Sequence, residues 1–162
     1  MLMALLCGTA LALCAVPIVV AVGVTGTVAA APVDSSLPGP GASGMTAALW
    51  ALDQVGKPYQ WGAAGPEAFD CSGLVLRAWE AAGVALPRVA AAQYGAGQHL
   101  PVAAAEAGDL VFFATDPTDP ASIVHVGISL GDGRMVDAPH TGAVVRVETV
   151  WPDGLLPMAT RP

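Results

Sequence analysis

The first 33 residues of this 162-residue chain contain no charged side chain; Asp34 is the first. From Leu2 to Val28 the chain is almost wholly apolar, with Pro17 and three glycines inside the run. As a helix rising about 1.5 Å per residue it would extend roughly 40 Å, against a bilayer hydrocarbon core of ~30 Å. A helix packed on a protein core would carry a polar face, so a membrane is the expected environment. Also missing is the basic stretch that opens a secretory signal peptide, although Val28-Ala29-Ala30-Ala31 has the small residues of a cleavage site. Two readings stay open for residues 1–31, a retained single-span anchor or a cleaved signal peptide, and the length favours the anchor. Clustered basic residues are absent too. The one Lys and five Arg are scattered beyond residue 50, where acidic residues outnumber them two to one. Nucleic-acid binding requires basic clusters that displace phosphate counterions, so it is excluded as a function. Cysteine is scarce: Cys7 and Cys14 lie in the apolar run, and Cys71 stands alone beyond it. No C-x-x-C pair suggests a metal, and an exported Cys71 has no internal disulfide partner. Such a thiol is either inert and buried or reactive, and its neighbours must decide.

Residues 32–44, rich in Pro, Gly and Ser, read as a flexible linker leading into a domain over 45–162. Helical patterning is expected over 46–55, with Thr46 as N-cap and Gly56 as stop. A second helix is expected over 71–82, capped by Asp70 and stopped by Gly83, with Cys71, Leu74, Val75, Ala78 and Ala82 on one buried stripe. Strands are predicted over 110–113, 124–130, 134–138 and 144–148. Helices first and an antiparallel sheet afterwards make an α+β domain.

Asp70-Cys71-Ser72-Gly73 places a cysteine at a helix start. Unpaired N–H groups and the positive end of the helix dipole favour a thiolate there and can stabilise an oxyanion at an attacked carbonyl. Gly73 allows close approach of a substrate or of a neighbouring segment. An ordinary capped helix with a small buried residue explains these four residues equally well. In the strand beginning at His125, Val126, Ile128 and Leu130 face the core, while His125, Gly127 and Ser129 share the other face. A histidine above Gly and Ser has open space before it, as a cleft requires.

The combination is more specific than its parts. Lys57-Pro58-Tyr59-Gln60-Trp61-Gly62, Asp70-Cys71-Ser72-Gly73-Leu74-Val75, Leu86-Pro87-Arg88, Gly108-Asp109-Leu110-Val111-Phe112-Phe113 and His125-Val126-Gly127-Ile128 follow in that order. The region from Ala47 to Val147 thereby resembles the NlpC (NlpC/p-sixty) family of papain-like cell-wall cysteine peptidases. The resemblance implies a papain-like α+β fold with the nucleophile helix packed on an antiparallel sheet. It implies hydrolysis of peptidoglycan stem peptides at the bond between γ-D-glutamyl and a diamino acid, without a cofactor or a metal. Carried over by position, Cys71 is the nucleophile, His125 the general base, and Tyr59 the hydroxyl near the thiolate or oxyanion.

The third polar residue is Asp137, with His140 as rival. If Gly131-Asp132-Gly133 form a three-residue turn, Leu130 pairs with Arg134, and Asp137 falls opposite Gly127 on the His125 face. A two-residue turn would instead set His140 opposite His125 and bury Asp137 in the core, at a desolvation cost. The first register is therefore expected. Ser72, Gly73 and Arg88 are the candidate substrate-binding residues, although Arg88 could equally pair with an internal acid. Trp50, Trp61 and Trp79 are expected in the core, His99 in a solvated loop, and Asp109 in a structural turn. The expected location is extracytoplasmic, at the outer face of the cell membrane or secreted. Amidase or acyltransferase chemistry on the same fold, or an inactive wall-binding module, are the alternatives.

Overall fold

Eight consecutive residues, Ala107–Ala114, form the central strand β2, and both of its faces are covered. That explains its unbroken apolar run, Leu110-Val111-Phe112-Phe113, where a half-exposed strand would alternate. The computed structural model describes residues 40–162. The predicted anchor or signal segment and most of the expected linker lie outside the described residues. No helix among the described residues is long and apolar enough to cross a membrane.

Three helices precede β2: α1 (Pro40–Leu52), α2 (Cys71–Ala81) and the short α3 (Ala90–Tyr94). The strands are β1 (Gln98–Pro101), β2, β3 (Ile123–Leu130), β4 (Arg134–Asp137), β5 (Arg146–Thr149) and β6 (Met158–Arg161). They form one antiparallel sheet in the order β1-β6-β2-β3-β4-β5. The domain is α+β, as the element pattern predicted.

Each face of the sheet has its own apolar cluster. Leu74, Val75, Ala78 and Trp79 of α2 pack with Ala47 and Ala51 of α1 against Phe112, Val126 and Ile128. On the opposite face Val111, Phe113, Met135 and Ala159 lie beneath Leu100, Trp151 and Leu155. Alternation along β2 and β3 sends successive side chains to the two clusters.

Helix α1 departs from the expected boundaries. It starts at Pro40, so residues 40–44 of the predicted linker are helical, and Thr46 lies inside it, donating its hydroxyl hydrogen bond to the Ala42 carbonyl. Pro is well suited to a first helical turn. Gly44 explains the rest: its backbone abuts that of Gly108, where a Cβ on either residue would overlap the other chain segment. Gly44 weakens the local helical signal, and together with Gly108 it permits contact between α1 and β2. Helix α2 matches its expected span, with Asp70 accepting from the Gly73 N–H at 2.7 Å.

Ile128 pairs with Val136 and Ser129 with Met135, the register of the three-residue turn. Gly131 and Gly133 adopt φ of +84° and +78°, and Asp132 accepts from the Arg134 backbone between them. Strands β1 and β6 were not predicted; Gln98–Pro101 is too short and polar to show a strand pattern.

Candidate active site

Helix α2 and strand β3 supply the two groups that matter most. Cys71 is the first residue of α2, 9% exposed, at the floor of a groove of about 640 Å³. Asp70 takes up the Gly73 N–H through its side chain and the Leu74 N–H through its carbonyl. The N–H groups of Cys71 and Ser72 are left without protein acceptors among the described residues, at the positive end of the helix.

Asp70 is itself held by two further partners through three hydrogen bonds. Arg88 donates to Oδ1 at 3.0 Å and to Oδ2 at 2.7 Å, and the Gly62 N–H donates to Oδ2 at 2.8 Å. Arg88 also donates to the Ser72 hydroxyl at 3.0 Å. Of the two readings of Arg88, the structure therefore realises the internal one. Ser72 and Arg88 do line the groove, but their polar atoms serve the start of α2. Gly73 is buried, and a Cβ there would overlap the Ala63 carbonyl oxygen, so of its two readings the close approach of a neighbouring segment is the one seen, here a loop. Gln93, which the sequence did not single out, is fully buried and donates to the carbonyls of Ser72 and Pro87 at 2.9 and 2.8 Å. It fastens α2 to the Pro87-Arg88 segment.

His125 is almost buried, and its Nε2 stands 2.9 Å from Oδ2 of Asp137. An ionised carboxylate only accepts, so the Nε2 proton points at Asp137 and Nδ1 is left for Cys71. Burial alone would discourage protonation of the ring. The hydrogen bonds of the ring with Asp137 and with Cys71, together with the electrostatic pull of both groups, outweigh it, lifting the His125 pKa to about 9. The space beside His125 is not open as the sequence suggested. Met135 sulfur fills the site above Gly127, and Phe113 and Trp151 pack near the ring, with Trp151 stacked at 5.6 Å. The imidazole is fixed in a tight slot. Tyr59 has its hydroxyl pKa raised by burial and then by the nearby charges of Cys71 and Asp70, so it borders the same spot.

His140 is exposed, and its Nδ1 pairs with the neighbouring Thr141 carbonyl, away from His125. Trp79 is buried and Trp50 packs edge-on against Phe69. Trp61 is not in the core: it is 82% exposed and forms a wall of the Cys71 groove with Val89 and Val124, themselves exposed. Its Gly-flanked position in a turn carried no periodicity that could separate core from rim. His99 is exposed as expected, although it belongs to β1 and lies against Tyr94. Asp109 is structural: Arg161 grips both its oxygens at 2.8 and 2.7 Å. Among the described residues no cluster of side chains could hold a metal ion.

A thiol at a helix N-terminus, an imidazole between it and a buried carboxylate, and free N–H groups alongside form an arrangement suited to acyl transfer. Residues 56–155 match the family model described as NlpC/P60. The chain belongs to the NlpC/P60 family. The peptidoglycan endopeptidase RipA of Mycolicibacterium smegmatis is 37% identical over 123 residues, covering 68% of this chain and 24% of RipA. The bifunctional muramidase/DL-endopeptidase CwlT of Bacillus subtilis is 46% identical over 93 residues, 57% of this chain and 28% of CwlT. The solved structure of the peptidoglycan hydrolase RipB from Mycobacterium tuberculosis aligns at a TM-score of 0.64 and 36% identity, covering 74% of this chain and 64% of that one. This NlpC/P60 chain thus spans between about a quarter and a half of the length of the curated relatives it matches.

Proposed function

We propose that this NlpC/P60 domain is a cysteine endopeptidase acting outside the cytoplasmic membrane on peptidoglycan stem peptides, at the bond after γ-D-glutamyl. The observation that carries the proposal is the line from Cys71 through His125 to Asp137, which opens on a groove large enough for a peptide. Relatives named as peptidoglycan endopeptidases support the substrate class.

In this reading the Cys71 thiolate, paired with the imidazolium, attacks the γ-carbonyl carbon. The oxyanion meets the N–H groups of Cys71 and Ser72, with the Tyr59 hydroxyl beside it. As the C–N bond breaks, His125 gives its Nδ1 proton to the departing amine, leaving a thioester on Cys71. Neutral His125 then takes a proton from water, the hydroxide attacks the thioester, and the thiolate returns. Asp137 holds the ring through Nε2 and balances its charge throughout. Residues 1–31 would deliver the domain across the membrane, as an anchor or as a removable signal.

The test is to incubate the full chain with purified peptidoglycan and identify released fragments by mass. Fragments bearing a new γ-D-glutamyl carboxylate and a new diamino-acid amine are expected, and none with Cys71→Ala. Cleavage at the bond joining the peptide to the sugar would replace this reading with the amidase alternative.

A further inference from the structure

Asp137 is fully buried, yet only one of its carboxylate oxygens is used. Oδ2 meets His125, while Oδ1 is buried and receives no hydrogen bond from any N–H or hydroxyl among the described residues. Buried carboxylate oxygens are rarely left so, because the lost hydration is uncompensated. The neighbouring strand supplies a candidate. Asp137 pairs with Arg146 and Met135 with Glu148, so Glu148 stands diagonal to Asp137 on the same face of the sheet. Arg146 reaches back along its own strand, its Nη2 lying 3.1 and 3.0 Å from the two Glu148 oxygens. Those hydrogen bonds from the guanidinium hold Glu148 in place against the wall behind His125, beside Trp151.

We propose that Glu148, as a neutral carboxylic acid, donates its proton to Oδ1 of Asp137 and is a positioning residue that fixes the Asp137–His125 pair. The donated bond satisfies the orphaned oxygen and locks the carboxylate with Oδ2 toward Nε2. Two ionised carboxylates could not share this site without repulsion, so one proton between them is the stable arrangement. The environment agrees: burial first, then the charge of Asp137 and a hydrogen bond with it, outweigh Arg146 and hold the Glu148 carboxyl above its ordinary range. The charged or titratable groups facing Glu148 are Asp137 on β4, Arg146 on β5, His125 on β3, and His140 and Asp153 from the loops around the same hollow. The donor is present while Glu148 is protonated and is lost as pH rises through its raised pKa.

Two variants of similar size separate the roles. Glu148→Gln keeps an N–H donor and removes the titration; Glu148→Met removes the donor. The first measurement is alkylation of Cys71 by iodoacetamide against pH, read by peptide mass so that Cys7 and Cys14 do not contribute. It requires no substrate and is independent of the peptidase reading, on which the turnover measurement rests. In Glu148→Met the rise of Cys71 reactivity should move to higher pH, while Glu148→Gln follows wild type at low pH and departs from it only where wild-type Glu148 ionises. In turnover on peptidoglycan, Glu148→Met should lose about tenfold or more in kcat with KM little changed, the scale seen when a partner behind a functional histidine is removed. The ratio of Glu148→Gln to wild-type kcat should rise with pH, because only the wild type loses its donor. Shifted alkylation in a protein that cleaves nothing would sustain the positioning role and defeat the peptidase reading instead. If Glu148→Met matches Glu148→Gln in the alkylation profile, the proposal is overturned.

Discussion

Asp137 combines complete burial with a charge, which is tolerable only because His125 answers it. Its removal should therefore act on turnover before it acts on packing. Asp137→Ala is expected to lower kcat by about 10² to 10⁴, the range for groups that orient a catalytic imidazole. Asp137→Asn should fall between that and wild type, since an amide oxygen accepts the Nε2 proton without supplying charge. His140→Ala should retain near-normal turnover, because His140 points to Thr141. Peptide release from peptidoglycan measures all three; a crippled His140→Ala beside a healthy Asp137→Ala would reverse the assignment. The same pair governs stability. His125 has its pKa raised from 6.5 to about 9, so protonation favours the folded state. That contribution is complete below pH 6.5 and disappears as pH rises through about 9. Urea midpoints should fall across this window in wild type, and the fall should shrink in Asp137→Asn, where the carboxylate charge is gone.

At the scale of elements, the start of α2 is tightly built. Asp70, Arg88, Ser72, the Ala63 carbonyl and Gln93 converge on its first turn. Gly73→Ala should cost about 1–3 kcal/mol, as overpacking does, because the Cβ meets backbone that cannot swing aside. Thermal unfolding would read this loss, and peptide release should drop further than stability does, since the shift displaces Cys71. An unchanged melting temperature would show that the 60–65 loop yields freely. This helix was legible in the sequence because cap, apolar stripe and stop all agree over 70–83. The β3–β4 register was equally legible, because two glycines flank Asp132 in a turn where length decides which face Asp137 takes. Elements whose cause lies elsewhere in the chain could not be read. The first turns of helix α1 hold Gly44, which makes sense only against Gly108, and Trp61 sits in a turn where exposure depends on the groove across from it. Glu148 and Arg146 look like an ordinary surface pair until the buried oxygen of Asp137 appears beside them.

Across the whole molecule, β6 ties distant parts together. It lies between β1 and β2, and Arg161 places its guanidinium on the buried carboxylate of Asp109 in β2. Arg161→Ala would strand that carboxylate without its charged partner and should cost about 2 kcal/mol or more, read as a lower urea midpoint. Asp109→Asn with Arg161→Ala should cost less than the two single changes added together, because they share one interaction. The position of β6 also sets an order of assembly. Residues 158–161 are the last of the sheet to leave the ribosome, yet they occupy an inner place in it. Until they arrive, β1 has no neighbour and the apolar face holding Val111 and Phe113 lacks Ala159. A chain still lacking residues 158–161 therefore carries Cys71 and His125 on a sheet whose outer strand is unpaired and whose second apolar face is incomplete.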